Sequence, residues 1–245
     1  EPDEMAADPE HHGDAGFPNP TLTLLFDEYA AQHLSHEGRF PAESLAVTGS
    51  PKLDLLADSV ARLTPAEIDQ ARAGAGAGSR ALVLVTTKYR EARGVLEAFL
   101  DATATLFDVH VAIKTHPAET PDVYAPLLAR HPHVTVLPAS APLAPLLRAS
   151  RAVVTVNSTV ALDAAVVGVP ALVIGLPNNL SPFVDAGIMA GAEGGILQAL
   201  RQILYDEEFR HELGLAQRAF LTRYRIAADG KAAERAADAI VELAR

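Results

Sequence analysis

The sequence predicts an α/β protein with a Rossmann-like, three-layer parallel sheet and a helical C-terminal end. Five short runs, at 81–86, 109–113, 134–137, 152–156 and 171–174, are apolar without polar alternation, the pattern of strands buried on both faces. Helical patterns near 91–105, 121–130, 142–149 and 159–167 lie between them, which is the rhythm of βαβ crossovers. From Gly195 onward the pattern is helical throughout, with Phe209, Leu213, Ala216 and Phe220 spaced for one buried face.

Taken in order, residues 1–20 are acidic and proline-bearing, lack periodicity, and read as a tail or linker. Thr21–Phe26 predicts a strand, followed by a helix through Tyr29 and Leu34. A short apolar run, 45–48, ends at Gly49-Ser50-Pro51 and leads into a second helix. Thr64-Pro65-Ala66-Glu67 is a helix start: Thr64 caps, Pro65 suits the first turn, and Glu67 reaches back to the cap. Gly74-Ala75-Gly76-Ala77-Gly78 reads as a flexible linker; it precedes a strand instead of following one, so it is no dinucleotide fingerprint.

Composition narrows the function. The 245 residues carry 20 Lys+Arg against 31 Asp+Glu, a formal charge of −11, and no basic cluster offsets it. Such a surface repels a phosphate backbone, so nucleic acid is not an expected partner. Cysteine is absent, which removes thiolate metal sites and a thiol nucleophile. His11-His12 lies in the tail, where ordered metal ligation is not expected, so no metal and no cofactor is assigned. No apolar run reaches the ~20 residues of a membrane span. Residues 1–4 lack a signal peptide's basic head, so the expected location is cytoplasmic.

In an open parallel sheet, ligands bind beyond the carboxyl ends of the strands. Those ends here carry Thr87-Lys88, Lys114-Thr115-His116-Pro117, Asn157-Ser158-Thr159 and Gly175-Leu176-Pro177-Asn178. In an acidic protein, this gathering of cations, hydroxyls and an imidazole suits a phosphate or diphosphate. A helix opening at Thr159 adds unpaired N–H groups and the positive end of its dipole. His116 has two competent forms: imidazolium to pair with a phosphate, or neutral imidazole to accept a proton. Asp163, on an otherwise apolar helix, needs water or a partner, and ribose hydroxyls are one such partner.

In combination, four pieces resemble the nucleotide-binding C-terminal half of GT-B glycosyltransferases. They are Val47-Thr48-Gly49-Ser50-Pro51 with Asp54, Lys114-Thr115-His116-Pro117, Asn157 through Leu176, and Asp229 through Arg235. The group that is most similar includes bacterial capsule and surface-polysaccharide transferases, CDP-glycerol glycerophosphotransferases and non-hydrolysing UDP-N-acetylglucosamine 2-epimerases. The resemblance implies a domain over 47–245, preceded by a remnant of another domain over 21–46. It implies transfer from a nucleotide-activated sugar or polyol donor, in polysaccharide or cell-surface glycan synthesis. His116 would be the catalytic group. Gly49, Ser50, Thr87, Lys88, Lys114, Asn157, Ser158, Thr159 and Asp163 would bind substrate.

Three differences from the family patterns stand out. The ribose-facing helix residue is usually Glu, and here it is the shorter Asp163. The epimerases carry an Asp-Ser-Gly-Gly type sequence where this chain has Asn157-Ser158-Thr159-Val160. Only about 46 residues precede the match, too few for the second Rossmann domain of a GT-B enzyme. The expectations are therefore a transferase donor-binding domain that works with an N-terminal domain or partner chain, or a non-catalytic nucleotide-sugar module. Peripheral membrane contact and self-association are compatible with either, as is apolar surface left open around 21–26 and 45–51.

Overall fold

The computed structural model describes residues 20–86 and 89–245. The chain runs β1 (Thr23–Leu25), α1 (Glu28–His36), β2 (Leu45–Val47), α2 (Pro51–Ala61), α3 (Pro65–Gly74), β3 (Ala81–Val85), α4 (Tyr89–Thr103) and β4 (Val109–Lys114). It continues with α5 (Ala125–Leu128), β5 (Val134–Leu137), α6 (Leu143–Ala149), β6 (Ala152–Thr155), α7 (Val160–Val166), β7 (Ala171–Val173), α8 (Ser181–Asp185) and β8 (Ala190–Gly191). Three helices finish it: α9 (Ile196–Tyr205), α10 (Glu207–Arg223) and α11 (Ala232–Leu243). The described residues divide into two compact units, one of 20–58 with 220–245 and one of 59–219.

The larger unit is the parallel α/β layer that the apolar runs predict. Its six strands lie in the order β5-β4-β3-β6-β7-β8, all parallel. Register pairs Val83 with both Val111 and Ala152, which puts β3 at the centre. Leu82 to Val85, Val111 to Ile113, Ala152 to Val154 and Ala171 to Val173 are fully buried, as expected for strands covered on both faces. Helix α4 closes one face through Leu96, Phe99 and Leu100, a helical repeat of apolar residues; α9 adds Leu200, Ile203 and Leu204. The capping box at α3 forms as the sequence indicates: Glu67 N–H donates to Thr64 Oγ1 at 3.3 Å, and Thr64 N–H donates to the Glu67 carboxylate at 2.8 Å.

Three expectations are corrected. The Gly74–Gly78 run is no flexible linker: Ala75 and Ala77 are buried, and Gly76, at φ +78°, leaves no room for a Cβ, which would lie 2.8 Å from Thr135 Oγ1. Arg80 and Arg72 fix the turn further by donating to the carbonyls of Gly76 (3.0 Å) and Gly78 (2.7 Å). The helix expected over 121–130 is a 3-10 turn, Pro121–Tyr124, followed by the four-residue α5, because Pro126 interrupts the helical hydrogen bonding. The sixth strand, β8, is two residues long, too short to carry a period.

The smaller unit holds a two-stranded parallel sheet, β1 beside β2, with α1 between them in sequence. Asp27 caps α1, its carboxylate accepting the Ala30 N–H at 2.8 Å. Leu25, Phe40, Leu56, Phe220 and Ala232 are its buried apolar side chains. Tyr29, Phe220 and Tyr224 form a ring cluster with centroids 4.6 to 5.9 Å apart. Phe26 and Leu55, near the segments expected to show apolar surface, are 63% and 69% exposed. Residues 1–19 of the predicted tail lie outside the described residues. Among the described residues, no helix is long and apolar enough to cross a membrane.

Candidate functional site

The strand order reverses between β3 and β6, so the crevice of the sheet opens at their carboxyl ends. Neighbouring strands lie about 4.8 Å apart, which puts the loops after β4, β3 and β6 within about 10 Å of one another. Those loops carry His116, Thr87-Lys88 and Asn157-Ser158-Thr159. Thr87 and Lys88 lie outside the described residues.

Thr155, at the end of β6, organises the crevice. Its hydroxyl is buried, donates to the Thr86 carbonyl at 2.6 Å and accepts the Ser158 N–H at 3.0 Å, tying the ends of β3 and β6 to the loop. Thr86, 6% exposed, has a hydroxyl with no partner among the described residues. A buried hydroxyl at a strand end with nothing to bond is a cost that a ligand oxygen would remove.

The helix end after β6 is more closed than its sequence suggests. Val160 N–H donates to Ser158 Oγ at 3.3 Å, and the Ala161 and Leu162 N–H groups reach the Ser158 and Thr159 carbonyls at 3.2 and 2.9 Å. Together with Thr155 these contacts occupy four of the local donors. Asn157 and Thr159 are exposed, and their backbone N–H groups have no partner among the described residues. Helix α7 has seven residues, so its dipole is that of two turns only. Asp163 is 3% exposed, not the solvent-facing helix residue that is the plainest alternative to a ribose ligand.

His116 is half-buried in a turn closed by Glu119 N–H donating to the His116 carbonyl at 2.9 Å. Its Nδ1 accepts the Ala118 N–H at 3.0 Å. A nitrogen that accepts carries no proton, so the neutral ring is protonated at Nε2 and presents a donor outward. Of the two forms open to the sequence, this geometry favours a hydrogen-bond donor over a base. Lys114 donates to the Ala139 carbonyl beyond β5, and burial lowers its pKa. Its ammonium therefore braces the neighbouring loop.

Asn178 is a second organiser that sequence reasoning left unassigned. Its Nδ2 donates to the Val156 and Gly175 carbonyls at 2.7 and 3.3 Å, and its Oδ1 accepts the Leu180 N–H at 2.8 Å, bridging the loops after β6 and β7. The signals were there: a Thr inside an apolar strand, and an Asn among the residues beyond a strand end.

Gly49 and Ser50 belong to the smaller unit, where two of the motif pieces meet. Arg235 Nε donates to the Thr48 carbonyl at 2.7 Å, and Ala232 N–H donates to Asp54 Oδ2 at 2.8 Å. Asp229 receives Arg235 through both terminal nitrogens, at 2.8 and 3.1 Å, and accepts the Lys231 N–H at 3.0 Å; these bonds draw its pKa down to about 2. Gly49, at φ +87°, lies so close that a Cβ there would sit 2.7 Å from an Arg235 nitrogen. Ser50 is buried and its hydroxyl accepts the Leu53 N–H at 3.3 Å, an N-cap for α2. These residues thus have a structural account of their own.

Residues 86–179 match the family model described as Capsule polysaccharide biosynthesis protein. The matched stretch runs from Thr86 at the end of β3 to just past Asn178, and it contains His116, Thr155, Ser158 and Asp163. No curated protein gives a significant match. Among solved structures, the S. aureus MnaA–UDP complex is 21% identical, with 82% of this chain and 59% of that one covered and a TM-score of 0.60. The UDP-GlcNAc 2-epimerase of Neisseria meningitidis bound to UDP-GlcNAc is 17% identical over 83% of this chain and 61% of that one, TM-score 0.62. The wall teichoic acid polymerase TagF, in a variant soaked with CDPG, is 11% identical over 98% of this chain and 59% of that one, TM-score 0.65. The chain thus spans about three-fifths of the length of these structures, and shares the fold of that part of GT-B type proteins.

Proposed function

We propose that this chain is the donor-binding part of a GT-B type glycosyltransferase that uses a nucleotide-activated sugar or polyol in capsule or surface-glycan synthesis. The observation that carries the reading is that Thr86, His116 and the Asn157–Thr159 loop follow the neighbouring strands β3, β4 and β6 at their carboxyl ends, inside the segment that matches the capsule family. The donor's phosphates would lie there, with His116 Nε2–H, the Thr159 hydroxyl and the open N–H groups as donors. In transfer from a sugar donor, an acceptor hydroxyl bonds to the anomeric carbon as the bond from that carbon to the phosphate oxygen breaks. The electron pair leaves with the nucleotide, and the hydroxyl proton passes to solvent. From a polyol donor, the acceptor hydroxyl attacks the polyol-bearing phosphorus instead, and the P–O bond of the diphosphate breaks. Donors aimed at the departing oxygen stabilise the charge as it develops. A ribose contact through Asp163 requires that carboxylate to be uncovered on binding.

The Asn157-Ser158-Thr159-Val160 loop supports the transferase reading over an epimerase one, as does the match to a capsule family. A non-catalytic module working with a partner chain is the second reading, supported by the partial coverage of the structural relatives. A cytoplasmic location fits either. Calorimetry with UDP, CDP and GDP, and with their sugar or glycerol conjugates, tests the proposal. His116→Ala, or Ser158→Ala with Thr159→Val, is expected to weaken nucleotide binding by about 1.5–3 kcal/mol for each charge-assisted hydrogen bond lost. No binding by the parent chain, or unchanged affinity in both variants, refutes the site. Donor-dependent transfer by the purified chain alone would reject the non-catalytic reading.

A further inference from the structure

The smaller unit contains a cleft of about 680 Å³, within the range of small-molecule sites. Its apolar lining includes Leu45 and Val47, two apart on β2 and so on one face of that strand. Its polar lining includes Glu28, Gln32 and His36 of α1, Arg225 and Asp229 in the segment after α10, and Arg235 of α11.

The charges of this lining cancel in pairs. Arg225 Nη1 lies 3.3 Å from Glu28 Oε1, and Arg235 holds Asp229 through two bonds. A guanidinium carries five N–H groups, of which Arg235 uses three, so both arginines keep donors while the two carboxylates keep acceptor lone pairs. An incoming phosphate could reach the free N–H groups only by lying beside the carboxylates of Glu28 and Asp229, whose charge repels it. A purely apolar ligand would strip water from four charged groups. A neutral molecule bearing hydroxyls at its edges and C–H groups on its face meets neither cost.

Arg225 also occupies a backbone position that suits glycine. Helix α10 ends in a Schellman motif, with Ile226 N–H donating to the Leu221 carbonyl at 2.9 Å and Arg225 N–H to that of Thr222 at 3.3 Å. Arg225 takes the left-handed place in it, at φ +52°. An L-residue is strained there, and the side chain it brings lines the cleft.

We propose that this cleft binds a neutral polyhydroxylated ligand, with the chemistry of a hexose ring, and that Arg225 helps to hold it. The proposal uses none of the strand-end residues of the larger unit, although Gly49, which the resemblance implies binds substrate, also lines this cleft. Under the transferase reading, this chemistry is that of an acceptor. The test is a titration of the full chain with glucose, N-acetylglucosamine and, separately, inorganic phosphate, read from the methyl resonances of Leu45 and Val47. Saturable shifts with either sugar and none with phosphate are expected. Arg225→Gly should raise the melting temperature, by relieving the strain, while weakening sugar binding at least about tenfold, the loss of one or two hydrogen bonds to a charged group. Gln32→Ala, on an exposed position, should weaken binding with an unchanged melting temperature. Shifts with phosphate, no shift with either sugar, or full affinity in both variants would overturn the assignment.

Discussion

The larger unit hides whole strands from solvent, whereas the smaller one is fastened by a few polar atoms drawn from distant parts of the sequence. In the first, β3, β4, β6 and β7 contribute fully buried aliphatic side chains along the central ladder, such as Val83, Val111, Val153 and Leu172. In the second, five apolar side chains are buried among the described residues, and Thr48, Asp54, Asp229, Ala232 and Arg235 share hydrogen bonds across 178 and 187 residues of sequence. Burial is additive and tolerant of exchange, while a polar lock depends on each atom standing in its place. The two units should therefore fail for different reasons.

Phe99→Ala should break the larger unit most severely. Phe99 is fully buried on α4, and its truncation is expected to cost about 3–5 kcal/mol, seen as faster amide exchange at Val83 and Val111. Gly49→Ala adds a single methyl group to the smaller unit, yet is expected to cost about 2–3 kcal/mol. It combines a left-handed backbone with a Cβ 2.7 Å from the Arg235 guanidinium and 3.2 Å from the Ala232 Cβ. Gly74→Ala is the control: a Cβ there meets open space at the end of α3, so the change should be neutral or stabilising by less than about 1 kcal/mol. A larger penalty at Gly74 than at Gly49, by urea titration of both variants, would remove the basis of the comparison.

Acid sharpens the contrast between the two units. His110 is buried beside Thr135, 2.9 Å from its hydroxyl, and desolvation pushes its pKa down to about 4. The unfolded chain takes up that proton near pH 6.5, so folding stability is complete above 6.5 and declines as pH falls towards 4. The expected loss at pH 5 is about 2 kcal/mol, read from the urea midpoint at pH 7.5 and 5.0. Burial lowers the pKa of His133 as well, in the same unit and direction. Asp229 behaves oppositely in range: its carboxylate stays ionised until well below the usual carboxylate range, so the lock outlasts the histidines as pH falls. Loss of the Arg235–Asp229 contact at pH 5 by NMR would contradict this order.

How much was legible depended on whether the deciding neighbour was near in sequence. The core strands were readable because burial on both faces is written in consecutive residues, and the Thr64 cap because its partner is three residues away. Gly76 was misread because glycine-rich composition signals freedom, while the atoms that confine it belong to His110 and Thr135. The motif pieces around Gly49 and Arg235 were visible separately, but their pairing is a tertiary fact. At the sheet's crevice, His116 was identifiable, and its protonated nitrogen was not, since that follows from the turn that brings Ala118 N–H to Nδ1. The helix end at Thr159 seemed open because Thr155 and Ser158, which occupy its donors, could as well have faced elsewhere.

The bond from Arg235 to the Thr48 carbonyl, across 187 residues, also sets a timetable for biogenesis. A ribosome extending the chain at about 5–20 residues per second emits Thr48 roughly 10–40 s before Arg235. Residues 59–219 are contiguous and have all their own strands once they emerge. The segment from β1 to α2 must wait through that interval without its closing arginine. A stop codon placed before residue 229 would make that wait permanent, since it removes both Ala232, whose N–H donates to Asp54, and Arg235, which donates to the Thr48 carbonyl.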